Sequence, residues 1–256
     1  MNEVIQTSWR LEMVALSYAI SVLGAFVALT AARNIRGRDG LSLLNILAAG
    51  LAMGGIGVWS MHFTGMLALD LKMGSGYSMV ETLISLVAAV GATSAALAFV
   101  ARRPDSLPRI VGAGTLLGLG VAVMHYLGMY GMRFPGHFVW SYPVVALSVG
   151  MAVAAASAAL WLAFRTRTVI LRLVAAAVMG VAVCSMHYTG MAAADYVCTS
   201  ATERYATPQG FGVISSMAMP SLIAVVAIGI ALVIAMDQLL QRVAAAHPSQ
   251  AGVPSK

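Results

Sequence analysis

The sequence predicts an all-α, polytopic membrane protein of seven transmembrane helices, built from three two-helix repeats plus one extra helix. Three observations predict it. Hydrophobic residues make up 60% of the 256 residues and charged residues only 9%, where soluble domains carry roughly 25% charged residues. Seven stretches are apolar over the roughly 20 residues that a bilayer crossing needs. A short pattern centred on histidine occurs three times at almost constant spacing, which marks an internal repeat.

Residues 1–10 are polar and mixed in charge. They lack the basic start and small-residue cleavage site of a cleaved signal peptide, and read as an extra-membrane N-terminal segment. The spans follow at about 11–32, 42–68, 79–101, 110–130, 142–164, 170–194 and 216–237. Residues 11–237 therefore form one membrane domain. Residues 238–256 form a short tail with no room for a catalytic output domain.

The loops fix an expected orientation. Arg33, Arg36 and Arg38 follow span one. Arg102, Arg103 and Arg109 follow span three, Arg165, Arg167 and Arg172 follow span five, and Arg242 and Lys256 follow span seven. These are 11 of the 15 basic residues; Arg10, Lys72, Arg133 and Arg204 lie on the other side. The positive-inside rule places the N-terminus in the periplasm and the C-terminus in the cytoplasm of a bacterial inner membrane. Tyr77, Trp140, Tyr142 and Tyr205 then fall near outer span ends, as an aromatic belt would. Spans two and four are rich in glycine (Gly50, Gly54, Gly55, Gly57; Gly112, Gly114, Gly118, Gly120), which favours close backbone approach.

Spans two, four and six each end in the repeated pattern: MHFTGM at Met61–Met66, MHYLGM at Met124–Met129 and MHYTGM at Met186–Met191. Each histidine is preceded by glycine at −7 (Gly55, Gly118, Gly180) and valine at −4 (Val58, Val121, Val183). It is followed by glycine at +3 (Gly65, Gly128, Gly190) and methionine at +4 (Met66, Met129, Met191). At about 100° per residue these positions share one stripe with the histidine. Small residues on that stripe allow close helix contact, so all six glycines are expected at helix contacts facing the same centre as the histidines. The three helices run parallel, so His62, His125 and His187 are expected at one depth.

Histidine inside a span is rare and tends to be functional. Three at one depth, each with methionine one turn on, suggest a shared metal site; the alternative is a hydrogen-bonded cluster that locks three helices together. Imidazole with thioether is a soft donor set that suits copper. Zinc is a poorer match for thioether, and haem would use two histidines without any CxxCH attachment motif. The first tier of candidate ligands is His62, Met66, His125, Met129, His187 and Met191. Met61, Met124, Met186 and Cys184 form a second tier, with Trp59 at the position equivalent to Cys184 as a pocket wall. Cys184 and Cys198 do not suggest a disulfide scaffold. The net charge of +6 sits in short loops and reports topology, so no nucleic-acid partner is expected. No nucleophile–base pair, paired carboxylates or phosphate-cradling loop is evident, so the chain does not read as an enzyme.

At MHFTGM, MHYLGM and MHYTGM the chain resembles the MHYT family of bacterial integral membrane sensor domains, over about residues 11–237. The resemblance implies copper held by the histidines and methionines near the periplasmic face, and sensing of a diatomic gas such as oxygen, carbon monoxide or nitric oxide. It also implies output through signalling modules, here on a separate cytoplasmic protein. A membrane metal-handling or transport protein is the alternative; it would need polar residues along the inner halves of spans two, four and six, which are not evident. Leu127 stands where the other copies have Thr64 and Thr189. His125 is therefore expected to be the least hydrogen-bonded ligand and the one most easily displaced.

Overall fold

A computed structural model describes residues 3–37, 40–199 and 205–246. Six helices of crossing length are Leu11–Ala32, Leu43–Leu67, Met79–Ala101, Leu107–Tyr130, Tyr142–Ala163 and Val169–Met191; the seventh runs Met219–Ala246. The chain is a multi-pass, all-α membrane protein. The last helix passes Asp237, so the start of the expected tail is helical. Met1, Arg38, Glu203, Arg204 and Lys256 lie outside the described residues.

Local chemistry sets several helix starts. The Ser42 hydroxyl accepts from the Asn45 amide at 3.3 Å, and the Thr168 hydroxyl accepts from the Leu171 amide at 3.2 Å; both satisfy a free N-terminal donor. Pro108 and Pro143 occupy the first turns of spans four and five, where a missing N–H costs nothing.

Spans one to six close a ring in chain order, with span six returning to span one; span seven lies outside it, against span two. Span two is the most enclosed. Each even-numbered span meets an odd-numbered neighbour through one recurring contact. A Cβ on Gly118 would lie 2.5 Å from the Val153 Cα, one on Gly180 would lie 2.7 Å from Val22 Cγ2, and one on Gly54 would lie 2.8 Å from the Val90 Cα. Each of these valines follows a fully buried serine by five residues: Ser148, Ser17 and Ser85. The ring thus has threefold pseudosymmetry. Its pairs are spans two and three, four and five, and six and one. Span seven carries the same pattern, Ser221 and Val226, but Ser221 is exposed.

The glycine in the first pair is Gly54, not Gly55. Residues Leu51–Ser60 wind as a π-helix inside span two, and the Ser60 hydroxyl donates to the Gly55 carbonyl at 3.0 Å. Gly54 lies eight residues before His62, where Gly118 lies seven before His125. The wider winding absorbs one extra residue, so the pattern resumes in register at the histidine. Gly55 is turned toward span seven, and a Cβ there would lie 2.4 Å from Ile230 Cδ1. The −7 glycines are therefore contacts to flanking helices and do not face the histidines.

The connections at the motif end pair as short strands. Ala194–Cys198 lies between Glu3–Val4 and Gly136–Trp140, and Gly76–Ser78 lies between Val213–Ser215 and Met132–Arg133. Ser8–Trp9 pairs with Leu69–Asp70. Pairing satisfies backbone groups that would otherwise be stranded beside the bilayer. Arg133 bonds Glu81 at 2.7 Å, which ties the connection after span four to the start of span three. The Arg10 guanidinium donates to the Leu67 carbonyl, a cation at a helix C-terminus.

Candidate metal centre

The motif helices converge where spans two, four and six touch. His62 and His125 are 0% exposed and His187 is 1% exposed. Their Nδ1 atoms form a near-equilateral triangle: His62 to His187 is 3.1 Å, His62 to His125 is 3.2 Å, and His125 to His187 is 3.2 Å. The rings stand nearly edge to face, with interplanar angles of 74°, 88° and 87°.

The glycine at +3 makes this approach possible. His187 Nε2 would lie 2.3 Å from a Cβ on Gly65, His62 Nε2 lies likewise against Gly128, and His125 Nε2 against Gly190, each at 2.3 Å. The relation is cyclic: each histidine is received by the glycine of another repeat. The three Nε2 atoms have no hydrogen-bond partner. Ring orientation is thus set by confinement, without the carboxylate or carbonyl that commonly orients a ligating histidine.

The aromatic at +1 anchors each motif to its neighbour. The Tyr126 hydroxyl pairs with the Ser148 hydroxyl at 2.6 Å, and the Tyr188 hydroxyl pairs with Ser17 at 2.8 Å. Phe63 has no hydroxyl, and Trp59 Nε1 instead donates to Ser85 at 3.1 Å and to the Thr82 carbonyl at 3.0 Å. Trp9 packs on Tyr188, Trp140 on Tyr126 and Tyr77 on Phe63. Tyr77 is 1% exposed, so it is a packing group and not part of an interfacial belt; Trp140 is half-buried, and Tyr142 and Tyr205 are exposed. Burial pushes the phenols of Tyr77 and Tyr196, both outside the spans, above the usual tyrosine range.

The three-serine set was not singled out in the sequence, because serine is common in apolar spans. A signal was present: Ser85 and Ser148 are 63 residues apart, the spacing of His62 and His125.

Met66, Met129 and Met191 are buried, as are Met61, Met124 and Met186. Met66 also lines a cavity of about 460 Å³ at the motif end, with Arg10, Tyr77 and Met132. Cys184 stands apart. Its thiol meets Ser17 of span one, and among the described His, Cys, Asp and Glu residues the three histidines alone bring their ligand atoms within 4.8 Å of one another. The Thr64 hydroxyl bonds the Ser60 carbonyl at 2.8 Å, as span threonines often do. It serves its own helix and not a histidine, so Leu127 does not leave His125 less hydrogen-bonded than the others. One turn inward from the histidines, Val58, Val121 and Val183 line a cavity of about 50 Å³ with Met186 and Met179.

Residues 55–113, 118–176 and 180–247 each match the MHYT family, described as a bacterial signalling protein N-terminal repeat. The chain belongs to the MHYT family. Its third family repeat joins spans six and seven, whereas in the ring span six pairs with span one. The MHYT chain is 40% identical over 195 residues to the bifunctional diguanylate cyclase/cyclic di-GMP phosphodiesterase MucR of Pseudomonas aeruginosa, covering 74% of this chain and 28% of that protein. It is 32% identical to an uncharacterized signaling protein of Caulobacter vibrioides (75% and 24%) and 28% identical to the signaling protein YkoW of Bacillus subtilis (75% and 25%). It spans about a quarter of the length of these relatives. No solved structure matches it.

Proposed function

We propose that this MHYT chain is a membrane sensor module whose signal is received at a metal ion held by His62, His125 and His187. The observation that carries the reading is the Nδ1 triangle. A neutral imidazole carries one N–H, so each Nδ1 is either a donor or an acceptor. Three such atoms in mutual contact always leave one pair of like kind, so three neutral rings cannot make all three contacts hydrogen bonds. A cation at its centre satisfies all three lone pairs. Dividing the side by √3 places the centre about 1.8 Å from each nitrogen, against metal–imidazole bonds of roughly 2.0–2.1 Å. The three nitrogens would hold a metal ion.

His62, His125 and His187 would therefore hold the ion, and copper is the metal we assign to it. Three imidazoles in a dry setting are compatible with Cu(I), and the buried motif methionines are soft residues of the kind that would suit the same metal. When bound, the copper supplies an open position for a small ligand. The protein's own part is to hold the rings, exclude water and provide the apolar cavity beneath them. Such a cavity stays dry and accepts apolar guests, which supports a diatomic gas as the sensed ligand. Valines lining the axis below the histidines also disfavour an ion path, and so the transport reading. Haem has no slot between rings whose centroids are 4.9–5.1 Å apart.

The module itself carries no catalysis in this reading, and its signal passes to a signalling protein on the cytoplasmic side of the bacterial inner membrane. The 11-to-4 split of basic residues supports a periplasmic residue 1–10 segment and motif end, and a cytoplasmic 238–256 tail.

Metal analysis of purified protein tests the site. One copper per chain is expected, and its loss in the triple variant His62→Ala/His125→Ala/His187→Ala. Unchanged copper in that variant would remove the proposal.

A further inference from the structure

The opposite end of the ring holds a second built site. All three connections at that end contribute to one cavity of about 380 Å³: Arg33 and Arg36 after span one, Pro104 after span three, and Phe164, Thr166 and Arg167 after span five. The three guanidiniums have no ion-pair partner among the described residues; the neighbouring acid Asp105 faces Arg165 at 3.8 Å instead. Thr166 is 3% exposed, yet its Oγ1 has no hydrogen-bond partner. A buried hydroxyl without a partner is costly, and Thr166 is one of the residues that line this cationic cavity.

Topology alone explains arginines in these loops. It does not explain why three of them, from two connections, share one cavity with an orphaned hydroxyl. A phosphate group would accept from the fork-shaped guanidiniums and from Thr166 together. We infer that this cavity binds a phosphate group, whether the headgroup of an anionic phospholipid or a soluble phosphate. Basic pockets between spans commonly hold anionic headgroups. The site lies where the three helix-pair connections meet, so its occupancy bears on how firmly the pairs are held together at the end remote from the histidines.

The test uses the full chain, purified and delipidated in detergent. Phosphatidylglycerol, phosphatidylcholine and sodium phosphate are the probes, read by native mass spectrometry and by Tm. Phosphatidylglycerol is expected to be retained and phosphatidylcholine not. Each of Arg33→Gln, Arg36→Gln and Arg167→Gln is expected to weaken retention about fivefold, and Thr166→Val about tenfold. A Tm rise with sodium phosphate but no lipid retention would identify the soluble source, with the same variants abolishing it. Equal retention by wild type, Arg36→Gln and Thr166→Val, with no phosphate effect, would overturn the inference. The triple histidine variant is expected to leave retention unchanged, so the outcome is independent of the metal.

Discussion

His187 Nε2 stands where a side chain on Gly65 would begin, 2.3 Å from the Cβ position. One methyl group there must displace the ring or the helix. Gly65→Ala is therefore expected to destabilise by overpacking, by about 1–3 kcal/mol, and to lower metal content by moving His187 off the triangle. Gly128→Ala and Gly190→Ala should behave alike, acting on His62 and His125. Thermal unfolding beside metal analysis checks this; normal copper and Tm in all three variants would refute it.

The hydroxyl pair of Tyr126 and Ser148 is half-buried and 2.6 Å long. Ser148 also donates to the Val145 carbonyl at 2.8 Å, so Tyr126 is the donor of the pair. Removing Ser148 strands the Tyr126 hydroxyl, at a cost of about 1–3 kcal/mol; Tyr126→Phe is expected to cost less, and removing both less than the sum. A double-mutant cycle of Tyr126→Phe and Ser148→Ala on unfolding in detergent measures the coupling. The cycle of Tyr188→Phe with Ser17→Ala should give a similar value, whereas Phe63 has no hydroxyl to lose.

The π-helix accounts for one residue. Deleting Ile56 should let Leu51–Ser60 wind as α-helix, place Gly54 seven residues before the histidine, and preserve both the Val90 contact and the triangle. Deleting Ala122 in span four, already α-helical, should rotate His125 by about 100° out of the centre. Copper content separates the two: retained in the first, lost in the second. Loss in both would show that the wider winding is needed for more than register.

Cysteine labelling tests orientation. Cys184 and Cys198 are buried, so background labelling is low. His137→Cys at the motif end is expected to react with an impermeant maleimide added to spheroplasts, and Gly37→Cys at the other end only after lysis. The reverse pattern would invert the topology.

Much of this was legible in the sequence. Seven spans, three copies and a shared histidine depth follow from hydropathy and spacing, because a bilayer leaves few alternatives to parallel helices. The facing of individual glycines was not. A wheel at 100° assumes uniform winding, and span two breaks that assumption between Gly54 and His62. It also puts the −7 and +3 glycines on one stripe, although only Gly65, Gly128 and Gly190 receive a histidine. That distinction depends on which neighbour lies on which side. Cys184 shared the wheel face of His187 but turned toward Ser17 for the same reason. The partner of span six was hidden too, since the ring joins it to span one across the length of the chain.

The cyclic passage of each histidine to another repeat's glycine means that no third of the chain contains a finished pocket. One helix pair alone has an imidazole with nowhere to sit and a vacancy with nothing to fill it. Three identical pairs would complete one another, so the ring is a homotrimer written on a single polypeptide. Fusion gives what a true trimer lacks: a substitution in one third need not appear in the others. Phe63 with Trp59, Leu127, and the outrigger span beside span two are such unequal changes, carried while the triangle stays near-equilateral.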